Sequence, residues 1–243
     1  MNQDTVYLKI KRAAESDKEC CLCLLEDEIE RRYIDTYLLE LVMDPTSRQK
    51  IIESRGFCND HYYKMLIAAT KPESPDGHGI ALINRSVIDA LIQDLQKLKR
   101  NRNADQLYKL VADENKCPAC IHLSEFSKMY AEEIIKILSS NNEESLAVLN
   151  ESKGFCVPHF VSLLCIAEGA ASTDSQKAVK ALIEIEEKNL RRLSSQLIEY
   201  VRKQSYEFSE KERKAVSGAM LRSLEKIAGR RGIKPLIDRK RKG

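Results

Sequence analysis

The chain has 243 residues, 43% of them hydrophobic, which is enough for one large domain or two small ones. Residues 230–243 carry seven Lys or Arg and one Asp, a net charge of +6, so the preceding residues carry −3 of the total of +3. This distribution excludes a uniformly basic nucleic-acid binder. No apolar run approaches the roughly eighteen residues of a membrane span, and residues 1–14 lack the apolar segment of a secretory signal. We therefore expect a cytoplasmic protein without membrane association, whose thiols stay reduced.

The first half of the chain is predicted to be helical, since it lacks the alternating pattern of strands bounded by hairpin turns. A first helix is expected over residues 24–43, directly after Cys20-x-x-Cys23. A second helix is expected to have Asp44 as its N-cap and Pro45 as its first residue, and to end at Gly56. A third runs from residue 58 to about 70 and opens with Cys58-x-x-His61. A fourth, over 80–99, has an apolar stripe with steps of three and four residues.

The second half repeats this order after a linking helix at 104–112. Helices are predicted over 121–138, 143–152, 156–168 and 175–203, and a last one reaches about residue 228 after the capping box Ser209-x-x-Glu212. The stripe of the long helix is expected to bury Val179, Leu182, Leu190, Leu193, Leu197 and Val201. The predicted fold class is all-α.

An internal duplication relates the two halves. Residues 51–66 and 149–164 are identical at seven of sixteen positions, and both contain Gly-Phe-Cys-x-x-His. When the two copies are aligned, four Cys or His residues of one copy coincide with the same residue types in the other. The eight matched residues, our candidate metal ligands, are Cys20, Cys23, Cys58 and His61 in the first copy and Cys117, Cys120, Cys156 and His159 in the second.

Each copy thus contains three thiols and one imidazole, a complete tetrahedral shell for a structural zinc ion. We expect two zinc sites, one in each copy, with every site joining the start of one helix to the start of another. The first-turn N–H groups of a helix favour thiolate over thiol. Because four protein ligands close the shell, we expect no catalysis at the metal. Iron–sulfur clusters at the same ligands, or thiol redox chemistry through the CxxC pairs, remain alternatives.

The other Cys and His residues have no counterpart in the superposition, and we expect no ligand role for Cys21, His78, His122 or Cys165. Cys165 is expected to be a small buried residue on a helix, because Ile67 occupies its place in the first copy. Glu53 and Glu151 recur before the two Gly-Phe-Cys segments. The carboxylate of each either accepts a hydrogen bond from the imidazole N–H that does not bind the metal, or belongs to a solvated helix face.

The basic C-terminal segment is a candidate for binding polyanions through Arg230, Arg231, Arg239, Lys240, Arg241 and Lys242. It lacks aromatic residues on which bases could stack, so recognition of a nucleic-acid sequence is not indicated. A segment that only increases solubility is an equally good interpretation.

The blocks CCLCLLE and CPACIHL, followed by GFCNDHYYKML and GFCVPHFVSLL, resemble those of a prokaryotic family of unknown function with paired CPxC and GFCxxHF motifs. Cys21 stands where that motif has proline. The resemblance implies a helical metal-binding protein and brings no established activity.

These observations predict two helical modules, 1–115 and 116–205, each fastened by a Cys3His site, then a C-terminal helix at 206–229 and the basic segment 230–243. The expected function is that of a non-enzymatic zinc-binding adaptor for a protein or ribonucleoprotein partner. Nucleic-acid binding through the basic segment is a second alternative to this function, beside redox chemistry.

Overall fold

The structure, a computed structural model, describes residues 3–71, 77–101, 104–112, 116–169 and 173–230. Within these ranges the regular elements are helices and none is a strand, which confirms the all-α prediction. The helices are α1 (Gln3–Ala14), α2 (Cys21–Thr36), α3 (Pro45–Ser54), α4 (Asn59–Ala69), α5 (His78–Asn101), α6 (Ala104–Ala112), α7 (Pro118–Ser139), α8 (Glu143–Glu151), α9 (Val157–Gly169), α10 (Thr173–Arg202), α11 (Glu210–Val216) and α12 (Gly218–Ala228). A π-helical turn, Tyr37–Leu41, follows α2 directly.

Two predicted helix starts are confirmed in detail. The Asp44 carboxylate accepts a hydrogen bond from the backbone N–H of Ser47 at 2.7 Å, and Pro45 is the first helical residue of α3. At α11 the hydroxyl of Ser209 and the carboxylate of Glu212 each bond the other's backbone N–H, which forms a capping box. The segment after it is divided into α11 and α12, where the sequence predicted one helix.

The chain divides into two compact units. Unit 1 consists of Met1–Asp27 and Ser127–Gly243, and unit 2 of Glu28–Phe126. The divisions fall inside α2 and α7 and do not coincide with the ranges 1–115, 116–205 and 206–229. Those ranges remain a prediction about how the sequence is duplicated.

In unit 1, α10 packs against α9 and α12, and α1 packs against α8. The face that α10 buries differs in part from its predicted stripe, because Leu190 is 41% and Val201 is 68% exposed. Three polar residues, Ser175, Glu186 and Asn189, are buried on α10 as well. Its buried residues are Ser175, Ala178, Leu182, Ile185, Glu186, Asn189 and Leu193.

In unit 2, α5 packs against α3 and α4. Phe57 lies at the centre of an aromatic group, with its ring edge-on to Tyr37 and to Tyr62 at centroid distances of 5.6 Å in both pairs. It is 7% exposed and inserts into the core beside Cys58. The long helix α5 contributes four buried aliphatic residues, Ile80, Ile83, Val87 and Ala90.

Among the described residues, none of the helices combines the length and the apolar character that crossing a membrane requires.

Candidate metal centres

The eight matched residues come together in two groups of four, one in each unit. Centre 1 consists of Cys20, Cys23, Cys156 and His159. In centre 1, Nδ1 of His159 lies 3.3 Å from Sγ of Cys20, 3.5 Å from Sγ of Cys23 and 3.3 Å from Sγ of Cys156. The sulfur atoms of Cys23 and Cys156 are 3.6 Å apart.

Centre 2 repeats this geometry with Cys58, His61, Cys117 and Cys120. Here Nδ1 of His61 lies 3.1 Å from Sγ of Cys58, 3.6 Å from Sγ of Cys117 and 3.4 Å from Sγ of Cys120. The sulfur atoms of Cys58 and Cys120 are 3.7 Å apart. A tetrahedral zinc ion with its usual bond lengths separates a sulfur and a nitrogen ligand by about 3.5 Å and two sulfur ligands by about 3.8 Å. Both groups therefore fit a single tetrahedral ion.

The grouping corrects the prediction that each copy of the repeat holds its own site. Cys20 and Cys23 of the first copy meet Cys156 and His159 of the second, and the remaining four residues form the other group. The pairing is nested, with the outer motifs together and the inner motifs together. Sequence spacing could not reveal this, because both copies contain the same ligand types and each CxxC could be matched with either CxxH.

Helix starts position all four motifs. Cys20 and Cys117 directly precede the first turns of α2 and α7, where their carbonyls accept from the backbone N–H groups four residues on. Cys58 and Cys156 stand in the same place before α4 and α9. The positive end of each helix dipole favours thiolate at these positions. Each centre thus joins two helix starts, as predicted, although they belong to different copies of the repeat.

The pKa values of the cysteine thiols depend on their neighbours within each group. Burial opposes ionisation of the Cys20 thiol, but contacts inside centre 1 outweigh it and lower its pKa well below the usual value. The pKa of Cys58 is lowered by the other two sulfur atoms of centre 2. The pKa values of Cys23 and Cys120 are raised, because their neighbouring sulfur atoms disfavour another negative charge. Full ionisation of either group therefore requires a cation.

The pKa values of the two imidazoles are raised by the same neighbouring sulfur atoms. Burial lowers the pKa of each ring, but contacts with the neighbouring thiols outweigh burial. The pKa of His61 is raised to about 11, and that of His159 is raised well above its usual value. A raised imidazole pKa means that a proton on Nδ1 offsets negative charge on the sulfur atoms. A divalent ion would displace it from Nδ1, so that metal binding is coupled to proton release.

Two buried glutamates, which the sequence analysis missed, approach the far side of the imidazoles. Oε1 of Glu26 is 3.1 Å from Nε2 of His159, and Oε1 of Glu30 is 3.0 Å from Nε2 of His61. Both lie on α2 at steps of three and seven residues after Cys23, which places them on the same helix face as that ligand. This periodicity is the signal that could have identified them.

Glu53 and Glu151 are placed as the solvated-face interpretation expects. The carboxylate of Glu53 accepts a hydrogen bond from Gln49 at 2.9 Å in an exposed pair, and Glu151 is exposed. The carboxylates nearest the two imidazoles are those of Glu26 and Glu30 instead.

A buried lysine, which no sequence pattern indicates, supports the segment before Cys156. Lys226 of α12 is 0% exposed. Its ammonium group donates to the carbonyls of Lys153 at 2.7 Å and Phe155 at 2.8 Å, and it lies 3.3 Å from the Glu186 carboxylate. Glu186 in turn accepts from the backbone N–H of Phe155 at 3.1 Å. This network fixes the turn that directs Cys156 into centre 1.

Gly154 lies within this turn. Its φ of +74° is unfavourable for residues with a side chain, and an added Cβ would lie 2.8 Å from Oε2 of Glu186. At the equivalent Gly56, φ is +104° and the nearest group is the Tyr62 ring. The left-handed stretch in this first copy already begins at Arg55, with φ of 59°.

The four residues without a counterpart all lie outside the two groups of ligands. Cys21 is buried, and burial raises its pKa well above the usual value. His122 contacts the rings of Tyr33 and Phe126, and His78 is exposed at the start of α5. The prediction that Cys165 is buried is wrong, since its position on α9 faces solvent.

Of the basic segment, the structure describes only Arg230. Its guanidinium lies 3.6 Å from Asp27 and 3.9 Å from Glu26, so it takes part in ion pairs within unit 1. The other five candidates for polyanion binding, Arg231, Arg239, Lys240, Arg241 and Lys242, lie outside the described residues.

Comparison with known proteins supports one assignment. Neither the search of curated proteins nor that of solved structures found a match. A family model described as a family of unknown function (DUF6062) matches residues 1–233, in agreement with the resemblance that the cysteine motifs indicated. The chain therefore belongs to this family of unknown function.

Proposed function

We propose that the protein is a non-enzymatic zinc protein with two structural ions, one in centre 1 and one in centre 2. The observation that carries the proposal is the arrangement of three sulfur atoms and one nitrogen around a common point in each unit. Zinc favours four tetrahedral ligands of this type, and four protein ligands leave no coordination position for a substrate.

Ligand spacing supports a single ion in each centre over an iron–sulfur cluster. In each group the four ligand atoms lie within 4.8 Å of one another. A cluster contains several irons and inorganic sulfides, and its terminal ligands bind different irons, so it requires more space between them. Redox use of the CxxC thiols is disfavoured because both thiols of each pair belong to a group of four that would bind one ion. A thiol bound to the ion is not free to form a disulfide.

Metal analysis of anaerobically purified protein tests this proposal. We expect two zinc ions for each chain and no visible chromophore. Iron together with labile sulfide would overturn the zinc assignment and establish the redox alternative. A chain without bound metal, and unable to take up Zn²⁺ in the reduced state, would overturn the metal centres altogether.

We further propose that the protein acts as an adaptor for a protein partner. Support comes from α12, which buries Ala219 and Lys226 on one side. Its other side exposes four large apolar residues to 55–63%, and they follow one another at helical spacing: Met220, Leu221, Leu224 and Ile227. Contiguous exposed apolar surface is typical of interaction sites. The zinc centres would keep the helices that present this surface in place.

Co-purification from native cells tests the adaptor role. The double change Leu221→Asp and Leu224→Asp is expected to remove a partner that the wild-type chain retains, without loss of zinc. Lys211→Glu on the exposed part of α11 is a matched control that retains it. Identical sets of co-purified proteins from all three chains would contradict this role. If nucleic acid is the partner instead, binding will fall steeply with salt and depend on residues 231–243.

A further inference from the structure

The two imidazoles have the same orientation in both centres. Nδ1 faces the three sulfur atoms and Nε2 faces away from them, toward a carboxylate. These carboxylates belong to Glu26, which is 4% exposed, and Glu30, which is 6% exposed. The rings are equally well buried, since His159 is 0% and His61 is 3% exposed. Each Nε2 therefore depends on the protein for a hydrogen-bond partner.

A neutral imidazole carries one proton. When Nδ1 binds a metal, this proton must be on Nε2, where the ring becomes a hydrogen-bond donor. A carboxylate that accepts this bond fixes the tautomer and the ring orientation, and its negative charge makes Nδ1 a stronger ligand. An ionised buried carboxylate is itself stabilised by the donor.

We propose that Glu26 and Glu30 are positioning residues of the two zinc centres, Glu26 for His159 and Glu30 for His61. The inference rests on the proposed zinc binding and adds to it the residues that set metal affinity. It also accounts for two glutamates buried on α2, since an unpaired carboxylate in such a place is strongly destabilising.

Each carboxylate has a second partner that keeps it in position. Glu26 accepts a hydrogen bond from the hydroxyl of Ser127 at 2.6 Å. Glu30 accepts one from the ammonium group of Lys64 at 2.8 Å, and Lys64 also pairs with Asp60 at 2.7 Å. The guanidinium of Arg230 lies 3.9 Å from Oε2 of Glu26, whereas Lys64 lies 2.8 Å from Oε1 of Glu30, the oxygen that faces His61. Lys64 therefore compensates more of the charge that its glutamate presents to the imidazole.

The hydrogen-bond geometry of the two glutamate–histidine contacts also favours Glu26 over Glu30. The contact between Glu26 and His159 has hydrogen-bond geometry at 3.1 Å. Oε1 of Glu30 is as close to His61, at 3.0 Å, but the approach to Nε2 is poorly aligned for a hydrogen bond. We therefore expect Glu26 to affect its centre more strongly than Glu30 does.

The test compares isosteric variants of the full-length, zinc-loaded protein. Glu26→Gln and Glu30→Gln retain the shape and an acceptor oxygen but remove the charge. Glu53→Gln and Glu151→Gln are the matched controls, because these glutamates recur in the repeat and do not face a centre. Zinc affinity is measured by competition with a chromophoric chelator, and the ring nitrogens are observed by ¹⁵N NMR.

We expect Glu26→Gln to weaken zinc binding at centre 1 about 10- to 100-fold, and Glu30→Gln to have a smaller effect at centre 2. The ¹⁵N signals of His159 should change only in the first variant and those of His61 only in the second. A general loss of stability would shift neither set of signals selectively, so the spectra separate positioning from a structural role.

Wild-type affinity and wild-type ¹⁵N signals in both glutamine variants would overturn this inference while leaving the zinc centres intact. Equal effects of the control variants would overturn it as well. If the wild-type chain binds no zinc, the proposed function fails first and the inference fails with it.

Discussion

Centres 1 and 2 contain the same ligands in the same geometry but are supported by different surroundings. Next to centre 1, the turn before Cys156 is held by the buried polar network of Lys226 and Glu186. Next to centre 2, the equivalent turn before Cys58 packs against an aromatic group that includes Tyr62. The duplicated motif therefore specifies the candidate metal ligands, while each unit has its own way of holding the turn.

Exposure of the sulfur atoms also differs. In centre 1 only Cys23 is partly exposed, whereas in centre 2 both Cys58 and Cys120 are. We infer that centre 1 is the more rigid and more protected of the two. The following predictions test this comparison, beginning with the largest expected effect.

Loss of one ligand should release one ion and leave the other. His159→Ala is expected to empty centre 1 and Cys58→Ser to empty centre 2, with one zinc remaining in each variant. Because metal binding contributes directly to folding, each should lose a substantial part of the roughly 10–16 kcal/mol that zinc supplies in small zinc-finger domains. Metal analysis and thermal unfolding measure both effects. Full metal content with an unchanged melting temperature would contradict the account.

Replacing the buried lysine should affect unit 1 strongly. Lys226→Met removes the donor to three backbone carbonyls and leaves the Glu186 carboxylate buried without its cation. Breaking a buried ion pair in this way typically costs about 3–5 kcal/mol. Denaturant unfolding measures the loss, and the exposed Lys214→Met on α11 serves as the control. The double variant of Lys226→Met with Glu186→Gln should recover part of the stability. A loss no larger than that of the control would show that the network does not support the turn.

The two glycines provide a direct comparison of the turns. Alanine at either position adopts a left-handed conformation at a cost of about 1–2 kcal/mol. At Gly154 the new methyl group meets the far end of the Glu186 side chain, whereas at Gly56 it meets the hydroxyl and the ring of Tyr62 more closely. The φ of +104° at Gly56 also lies further from the left-handed minimum than the +74° at Gly154. We therefore expect Gly56→Ala to be the more destabilising change in denaturant unfolding. The reverse order would show that the polar network around Gly154 tolerates a side chain less well than the aromatic group around Gly56.

The smallest expected effect is a difference in the rate of metal release. Centre 2 should lose its zinc to a chelator before centre 1, because two of its sulfur atoms are partly exposed. Timed alkylation followed by mass spectrometry should then label Cys58 and Cys120 before Cys20 and Cys156. The exposed Cys165 provides an internal standard for the reagent. Simultaneous labelling of both centres would remove the proposed difference in protection.

Much of the fold could be predicted from the sequence because its signals are local. The caps at Asp44 and Ser209 and the absence of strand patterns depend on neighbouring residues only. The eight ligands were identifiable because the duplication provides two independent copies of the same spacing. The phenylalanines that the two copies share, Phe57 and Phe155, both lie in the core, at 7% and 0% exposure.

The remaining features depend on contacts between distant parts of the chain. Cys20 and His159 are separated by 139 positions, and an identical CxxH closer in sequence made the wrong pairing equally plausible. Lys226 is buried because three carbonyl groups and a carboxylate converge on it, which no local pattern of α12 indicates. Cys165 was expected to be buried because its counterpart is the aliphatic Ile67. Ile67 is itself 62% exposed, so the two positions agree and the error lay in assuming that an aliphatic residue there is buried.

The most direct test of the central claim is ¹¹³Cd–¹H correlation NMR of the cadmium-substituted protein, which connects each metal to the β-protons of its cysteine ligands. The nested pairing predicts two cadmium signals. One should correlate with Cys20, Cys23 and Cys156, and the other with Cys58, Cys117 and Cys120. A cadmium signal that correlates with Cys20, Cys23 and Cys58 together would contradict it and return each site to a single copy of the repeat.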